Sequence, residues 1–448
     1  MDHETHLGLD HRDQLVSIPR ATRSWHTFIL GATGVGKSTV MENMIAQDMA
    51  RGDGVMVLDP HGTLAESCLH LVPPQRMNYV GLFDPTDRDF PVAWNILDEP
   101  NPLLHAKIAD GITTSIKWLW PDSWGPRLEN LLRFSIETLL ATPETSFANL
   151  LRLLSDESYR EHCLEYVTNT TTLKFWHKDY ATWSDTERRE ARQPIMNKVD
   201  KFLFFPEILN ILGQQSSRLR LEKIMAERWI MIANLAKGAT SESVAYLIGS
   251  TLLARVLAHG FDRLSKPKTP AGEPMPLFHL YVDEAQNFAP KILQSILTDA
   301  RKLNITLTLA TQSFSELDET LHSAIMTNAG TRICFQLSPE DAERFGPLLD
   351  RDHQVFNPHT LTQLATGEAY VHMRGTHGSV THHVFTYPPP TPRNENPTAV
   401  RKQSRRHFSR PRQAVVDYLG RVNAHHTETK RRLTKKKRTP SGERKGAR

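Results

Sequence analysis

The residues His26–Gln47, HTFILGATGVGKSTVMENMIAQ, carry the strongest fold signal in this chain. Its segment TFIL predicts a short buried strand, and the apolar positions of Val40–Ile45 follow at helical spacing. Between them, Gly31–Ser38 reads GATGVGKS, which fits the template of glycine, four residues, glycine, lysine, and serine or threonine. Because a strand precedes it and a helix follows it, we interpret this segment as a phosphate-binding loop and not as a chance glycine turn.

The residue types of this loop suit a nucleoside triphosphate. Glycines let the backbone curl so that successive N–H groups face phosphate oxygens, and the N-terminus of the following helix attracts anions. Lys37 is placed to contact the β and γ phosphates, and the Ser38 hydroxyl is placed to ligate Mg²⁺. The sequence therefore predicts that ATP and Mg²⁺ are bound by the consecutive residues Gly31, Ala32, Thr33, Gly34, Val35, Gly36, Lys37, Ser38 and Thr39.

A second apolar strand, Phe278–Val282 in LFHLYVDEAQNF, ends at an acidic pair. Asp283 would hold Mg²⁺ through water, and Glu284 would polarise the attacking water as general base. Such a pair alone would be read as a surface feature at a strand end. Together with the phosphate-binding loop upstream, it predicts the second half of an ATPase site.

Two further strand ends supply polar residues with more than one interpretation. Gln312 ends the strand in NITLTLATQS, where its amide can contact the γ-phosphate or the water and report hydrolysis to the rest of the fold. A purely structural amide is the alternative. Asp59 ends the strand in VMVLDPHG, where it either supports the site from behind or shapes a plain turn.

Composition and charge narrow the class of protein. The chain has 448 residues, of which 39% are apolar and 23% charged, so we expect two or three domains with a sizeable core. No apolar run approaches 18 residues and the first residues are polar, so we expect neither a membrane helix nor a secretory signal. The three cysteines, Cys68, Cys163 and Cys334, predict neither disulfides nor a zinc site and fit a reducing cytosol.

The net charge of +4 hides an asymmetry between the two parts of the chain. Residues 391–448 contain 18 Lys and Arg against 4 Asp and Glu, a net of +14, and the remainder contains 36 against 46, a net of −10. We interpret the C-terminal segment as a flexible basic tail with a short helix around AVVDYLG. Its part from about Arg401 to Arg448 is predicted to add sequence-independent DNA affinity, and a solvated tail without a ligand is the alternative.

The order of apolar segments predicts an α/β fold with a mainly parallel sheet and helices on both faces. Strand candidates that alternate with helical segments are Thr27–Leu30, Val55–Leu58, Tyr79–Phe83, Trp229–Ala233, Phe278–Val282, Ile305–Leu309, Arg332–Leu337 and Glu368–Met373. The alternation stops between residues 101 and 225, where helical patterns predict an all-α insertion domain. The predicted organisation is an N-terminal segment (1–25), a nucleotide-binding domain in two parts (26–100 and 226–390), the insertion (101–225) and the tail (391–448).

Five of the eight tryptophans fall within the insertion. They would either stack on bases or meet a partner, or they belong to the core of the insertion, which is the commoner use of tryptophan. These residues are Trp118, Trp120, Trp124, Trp176 and Trp183.

Taken together, HTFILGATGVGKST, VLDPHGTLAE, LYVDEAQNF, ARKLNITLTLATQS and NAGTRICFQLSPEDAERF resemble the HerA–FtsK superfamily of ring ATPases. They are most similar to its conjugative branch, the type IV secretion coupling proteins of the TraG/TraD kind, over roughly residues 20–385. The phosphate-binding loop and the acidic strand end are shared by many P-loop proteins, whereas the motifs DPHG and ATQS are more specific. The resemblance implies a RecA-like P-loop NTPase, a homohexamer with a central channel and ATP-driven movement of DNA. The membrane-bound members of this branch begin with transmembrane helices, which this sequence lacks.

The resemblance also implies an arginine finger at Arg301, just before the strand that leads to Gln312. Arg301 ends the helix predicted from about Ala289, which runs back along the sheet, so Arg301 would lie too far from its own loop and would act on a neighbouring subunit. The alternatives are an arginine that complements the helix dipole or one that pairs with DNA. Arg332 is the reserve candidate for the finger.

Three functions remain open at the level of sequence. The first is a DNA translocase in plasmid or mobile-element transfer, the second a secretion ATPase for protein export or pilus assembly, and the third a slow nucleotide switch. The resemblance implies DNA and membrane-bound secretion or relaxase proteins as partners. It also implies a cytoplasmic location, with contact to the inner face of the membrane through such a partner.

Overall fold

The structure, a computed structural model, describes residues 4–235, 238, 241–265, 272, 275–349, 357–375 and 378–421. Within these residues the strands are β1 (Thr5–Leu9), β2 (Leu15–Ile18), β3 (Thr27–Leu30), β4 (Gly54–Asp59), β5 (Val80–Phe83), β6 (Ile230–Asn234), β7 (Phe278–Val282), β8 (Ile305–Thr311), β9 (Thr331–Cys334), β10 (Glu368–Gly375) and β11 (Gly378–Thr386). They form one sheet in the order β2-β1-β11-β10-β9-β3-β8-β7-β4-β6-β5.

The helices connect these strands on both sides of the sheet. They are α1 (Arg20–Arg23), α2 (Lys37–Arg51), α3 (Thr63–Leu71), α4 (His105–Leu119), α5 (Pro126–Ala141), α6 (Asn149–Ser155), α7 (Glu157–Leu164), α8 (Thr170–Lys174), α9 (Asp185–Leu203), α10 (Pro206–Leu212), α11 (Leu221–Ala226), α12 (Glu242–Ser265), α13 (Pro290–Asp299), α14 (Glu319–Asn328), α15 (Pro339–Leu349), α16 (His359–Thr362) and α17 (Pro397–Phe408).

The central seven strands of the sheet, from β9 to β5, are parallel. Their side chains alternate between two hydrophobic cores, as the two-residue period of a strand requires. In β3, Phe28 and Leu30 face one core, whereas Ile29 faces the other, which α2 and α3 cover. The predicted α/β fold with a mainly parallel sheet is therefore confirmed.

Four antiparallel strands extend the sheet beyond β9. The strand predicted at Glu368–Met373 is present as β10, but it runs antiparallel to β9 and forms a hairpin with β11. The sequence reading missed β1, β2 and β11. In β11, Val384 is its one fully buried side chain, and such strands lack the apolar run that identifies a central parallel strand.

Between β5 and β6 the chain forms helices and no strand, as predicted for residues 101–225. These helices pack against α12, and α4 comes so close that a side-chain carbon on Gly111 would lie 2.6 Å from the Cβ atom of Ala254. Their hydrophobic core is continuous with the core on one face of the sheet. Separation of these helices as a domain of their own therefore stays a prediction.

The tryptophans of the insertion pack into this core. Trp176 is 4% exposed and donates its indole N–H to the Thr138 hydroxyl over 2.9 Å. The other four are partly buried against the same core. The structure therefore supports the core interpretation for these side chains.

The helix α12 is long and apolar enough to cross a membrane by length and composition, but 83% of its apolar window is buried inside the protein. No other helix among the described residues meets that test. A helix in the core of a protein has the same composition. In this structure α12 packs between the insertion helices and α13.

The first part of the predicted flexible tail is folded. In α17, Val400, Ser404 and Phe408 are buried at a spacing of four residues, and the Ser404 hydroxyl accepts the N–H of Leu82 in β5 over 2.7 Å. On its exposed side, Arg401 forms ion pairs with Glu66 and Asp84, and Arg405 pairs with Asp87. The folded part of the chain therefore extends past the boundary predicted at residue 391. A helix can be strongly basic and still bury one stripe of side chains, so the charge of this segment did not reveal that it folds.

Residues 412–421 are also helical, in agreement with the short helix predicted around AVVDYLG. Residues 422–448 of the predicted tail lie outside the described residues.

Candidate nucleotide site

The predicted phosphate-binding loop lies where the sheet topology directs it, between the end of β3 and the start of α2. Gly34 and Gly36 have φ angles of 80° and 122°, which L side chains rarely adopt. The Ala32 N–H donates to the Gln336 carbonyl over 3.0 Å, which ties the loop to the segment after β9. Ala32, Thr33 and Gly34 are exposed, so the loop is supported from beneath and open above.

The helix that follows the loop presents its backbone N–H groups to the same space. Gly36 is the N-cap of α2, and no side chain caps that end of the helix. The first N–H groups of a helix have no partner within the helix, so they suit phosphate oxygens. Ser38 is exposed in the first turn, and Thr39 follows it. The placement of residues 31–39 thus agrees with the predicted cradle.

Lys37 is the cation of the cradle. It is 7% exposed, and its ammonium group donates to the carbonyls of Gly31 and Ala32 over 2.7 and 2.9 Å. Burial lowers the pKa of Lys37, and the nearby Glu284 and Asp283 carboxylates oppose that shift. These contacts hold the ammonium group between the loop and the acidic pair.

The acidic pair is buried at the end of β7. Asp283 and Glu284 are 7% and 6% exposed, and Asp283 Oδ1 accepts the Glu284 N–H over 3.0 Å. Burial, together with the negative charges of Glu284 and Asp59, raises the pKa of Asp283 to about 7. A buried carboxylate repelled by its neighbours gains most from a cation, so these residues fit a divalent metal held by Asp283 and the Ser38 hydroxyl.

Glu284 is held by two side-chain amides. Its Oε1 accepts the Gln312 amide over 2.6 Å, and its Oε2 accepts the Gln286 amide over 2.5 Å. The residue adopts a left-handed conformation with φ 49° and ψ 59°, which is uncommon outside glycine. The two amides therefore fix both carboxylate oxygens of Glu284. The left-handed backbone conformation of this residue is unusual at the end of a strand.

Gln312 also reaches the phosphate-binding loop. Its carbonyl oxygen accepts the Thr33 hydroxyl over 2.8 Å, while its amide group donates to Glu284. The structure thus brings together Thr33, Gln312 and Glu284, as the sequence predicted for Gln312 and Glu284. Gln286 was missed, although its place two residues after Glu284 in DEAQN was a usable signal. Its carbonyl accepts the Thr311 hydroxyl over 2.9 Å.

Asp59 shapes a turn. Its two carboxylate oxygens accept the N–H groups of His61 and Ala65 over 2.8 and 2.9 Å, which closes the DPHG turn onto the start of α3. The negative charge of Asp59 also contributes to the raised pKa of Asp283. Asp59 therefore forms the turn and also lies close enough to the acidic pair to affect its charge, so the two interpretations are compatible.

Arg301 lies beyond the C-terminal end of α13, which ends at Asp299 and is thus shorter than the sequence suggested. Its guanidinium lies 5.3 Å from the centre of the Trp25 ring, just before β3, whereas the phosphate-binding loop follows β3. Arg301 is exposed at the opposite edge of the sheet from its own loop, as predicted. Arg332, the reserve candidate, is 4% exposed and donates to the Met326 carbonyl over 2.6 Å, so it does not reach the surface.

Comparisons with known proteins agree with this geometry. The family model described as the type IV secretion-system coupling protein DNA-binding domain matches residues 14–356. The bacterial conjugative coupling protein TrwBΔN70, in an unbound form, has a TM-score of 0.61 and 16% identity over 88% of this chain and 91% of its own. TrwB in complex with ADP and Mg²⁺ has a TM-score of 0.59 and 17% identity, with coverages of 84% and 89%.

VirB4 of Thermoanaerobacter pseudethanolicus has a TM-score of 0.54 and 16% identity over 87% of this chain and 98% of its own. No curated protein matches the chain in a sequence comparison. The solved structures share the fold, and the family model spans most of the chain, including the loop, the acidic pair and Gln312. The chain therefore belongs to the family of type IV secretion-system coupling protein DNA-binding domains.

Proposed function

We propose that this chain is a subunit of an ATP-hydrolysing ring, a homohexamer, that moves DNA during conjugative transfer. The observation that carries the proposal is the contact of Gln312 with both Thr33 of the phosphate-binding loop and the Glu284 carboxylate. This contact connects the proposed γ-phosphate position with the Glu284 carboxylate, which activates water. The family membership and the TrwB complex with ADP and Mg²⁺ support the choice of nucleotide and of DNA as the cargo.

In this proposal the backbone N–H groups of residues 31–39 and the Lys37 ammonium bind the phosphates of ATP. Ser38 and Asp283 would hold Mg²⁺, which would neutralise negative charge on the phosphates. Binding of the phosphates draws the Lys37 ammonium away from the Gly31 and Ala32 carbonyls. Glu284 accepts a proton from the attacking water, with its two oxygens oriented by the amides of Gln312 and Gln286.

Gln312 couples hydrolysis to movement. It is held at the C-terminal end of β8, and Arg301 lies just before the N-terminal end of the same strand. A shift of the Gln312 amide on loss of the γ-phosphate is therefore transmitted along one strand to the edge where Arg301 lies. There Arg301 acts as the finger for the nucleotide of the adjoining subunit and neutralises charge that develops in phosphoryl transfer.

The family membership supports a proposal for the cellular setting. We propose a cytoplasmic ring that works at the inner face of the membrane through a membrane-bound secretion or relaxase partner. Residues 422–448 contain ten Lys and Arg against two Asp and Glu, and this charge would bring DNA phosphates to the ring.

The test is ATP turnover with no DNA, with single-stranded DNA and with double-stranded DNA, together with the mass of the assembled protein. DNA-stimulated turnover by a six-subunit assembly is expected, and the Lys37→Ala protein is the matched inactive control. Turnover that no DNA changes would instead identify a secretion ATPase, and single-turnover hydrolysis near zero would identify a nucleotide switch.

A further inference from the structure

A cavity of about 360 Å³ lies at the edge of the sheet opposite the phosphate-binding loop. Three cationic side chains line it, from three different segments: Arg301 and Lys302 between α13 and β8, and Arg374 at the end of β10. No carboxylate lines the cavity among the described residues, and none of these three cations forms an ion pair within the described part of the chain. An unopposed cluster of this kind attracts an anion.

The shape of the cavity is built by close packing at the start of β3 and β9. The Gly330 N–H donates to the Trp25 carbonyl, and a side-chain carbon on Gly330 would lie 2.6 Å from the Cβ atom of Trp25. Glycine is therefore required for the Trp25 ring to lie in this position. The ring in turn places the Arg301 guanidinium 5.3 Å from its centre.

Arg374 is positioned from the other side. Its backbone N–H donates to the Gly330 carbonyl over 2.8 Å, and its guanidinium donates one hydrogen bond of 3.3 Å to the Thr327 carbonyl. A guanidinium has five N–H donors, so several remain for a ligand. Arg374 is exposed, whereas Arg332 behind it is buried, so Arg374 can meet a ligand outside this subunit.

The charge of the cavity comes from these cations and not from the histidine in its wall. Burial lowers the pKa of His26 to about 4, the Leu297 carbonyl opposes the shift and Arg301 adds to it, so His26 is neutral at physiological pH. A neutral wall with three cations around it suits a multiply charged, oxygen-rich anion such as a phosphoryl group.

We propose that Arg374 is a second catalytic cation that acts in trans, contacting the phosphates of the nucleotide held by the adjoining copy alongside Arg301. The assignment rests on the proposed function, because it needs a ring. In a ring each interface joins two different surfaces, so the loop edge of one copy meets another surface of the next. Arg374 is one strand length from its own loop, about 13 Å at 3.3 Å per residue, and serves only the neighbour.

The experiment compares Arg374→Ala with Arg189→Ala, a control at an exposed arginine of α9 in the insertion. Arg374→Ala is expected to lower kcat at least tenfold while its affinity for the non-hydrolysed analogue ADPNP and its assembled mass stay as in the wild type. Arg374→Lys should restore only part of kcat, because an ammonium group cannot bind a phosphoryl group through two parallel hydrogen bonds. Arg189→Ala should keep the wild-type kcat.

Mixing of variants separates a role in trans from a structural one. Arg374→Ala protein, with its lowered kcat, and inactive Lys37→Ala protein should regain turnover when mixed, because some interfaces then pair an intact loop with an intact cavity. Arg374→Ala mixed with Arg301→Ala should show no such gain, since every nucleotide would face a damaged cavity. Rescue in this second mixture would overturn the assignment, because it would place Arg374 at its own nucleotide.

Two further outcomes separate this assignment from the proposed function. Wild-type turnover by an assembled Arg374→Ala protein refutes the role of Arg374 and leaves the proposed function standing. A wild-type protein that binds no ADPNP or hydrolyses no ATP refutes both. Loss of assembly in Arg374→Ala, with assembly retained in Arg374→Lys at wild-type kcat, would identify an interface contact and also refute the catalytic role.

Discussion

Replacement of Glu284 by glutamine and by alanine separates chemistry from packing at the candidate site. An amide in place of the carboxylate cannot accept the proton of the attacking water, so we expect Glu284→Gln to lower ATP turnover by about 10²–10⁴, the usual effect of losing a general base. Binding of ATP should remain, because neither the loop nor Lys37 is altered. The Gln variant should therefore accumulate as the ATP-bound oligomer.

The two variants should differ in stability. In Glu284→Gln one of the amides of Gln312 and Gln286 can rotate to face the new amide, since the Thr33 and Thr311 hydroxyls that contact them can donate or accept. Its free energy of unfolding should stay within about 1 kcal/mol of the wild type. Loss of the negative charge of Glu284 also relieves repulsion on the Asp283 carboxylate, which favours the folded state.

Glu284→Ala leaves both amide groups without their acceptor at a position that is 6% exposed. A fully buried unpaired donor costs about 1–3 kcal/mol, but Gln286 and Gln312 are half-buried and water can replace part of each bond, so the expected loss is about 1–2 kcal/mol in total.

The assays are phosphate release at saturating ATP and urea unfolding without nucleotide. Turnover of Glu284→Gln above a tenth of the wild-type value would show that Glu284 is not the base. Equal stability of the alanine and glutamine variants would show that the two amides do not hold the carboxylate as described.

Four further predictions follow from the site, the edges of the sheet and the charged segments. Lys37→Ala should abolish ADPNP binding in calorimetry with an unchanged circular dichroism spectrum, and near-normal turnover would contradict the cradle. Arg301→Ala and Lys37→Ala proteins, each inactive alone, should regain ATPase activity when mixed; full turnover by assembled Arg301→Ala protein alone would move the finger elsewhere. Deletion of residues 422–448, which leaves α17 intact, should flatten the plot of log DNA affinity against log salt by about 0.9 for each lost phosphate contact, and an unchanged slope would favour a solvated tail. Although burial opposes it, the neighbouring His279 ring and the Arg20 guanidinium, which donates two hydrogen bonds of 2.8 Å, hold the pKa of Asp53 below its usual range, so its carboxylate stabilises the fold above about pH 4 and this contribution is lost as the pH falls. In urea titrations Asp53→Asn should therefore lose less free energy of unfolding than the wild type between about pH 5 and pH 3, and parallel profiles would contradict this.

The phosphate-binding loop, the acidic strand end and the parallel part of the sheet could all be predicted from the order of residues. These features are local. A glycine loop must sit between its strand and its helix, and a buried parallel strand is a continuous apolar run that needs no partner to be recognised. The order of the motifs along the chain was sufficient to place Lys37, Glu284 and Gln312 at one edge, because the carboxyl ends of parallel strands meet there.

Features that depend on contacts between distant segments could not be predicted in this way. Strands β1, β2 and β11 are recognised through their antiparallel neighbours, since polar residues or glycine interrupt their apolar residues and none of the three contains a continuous apolar run. The basic helix α17 buries one stripe against the sheet, and Glu66, Asp84 and Asp87 pair with its arginines; a charge count of the segment alone cannot show acceptors more than 300 residues away. The bond of Gln312 to Thr33 spans 279 residues, and the cavity joins Trp25 to the distant segments of Arg301 and Arg374, so neither leaves a local pattern in the sequence.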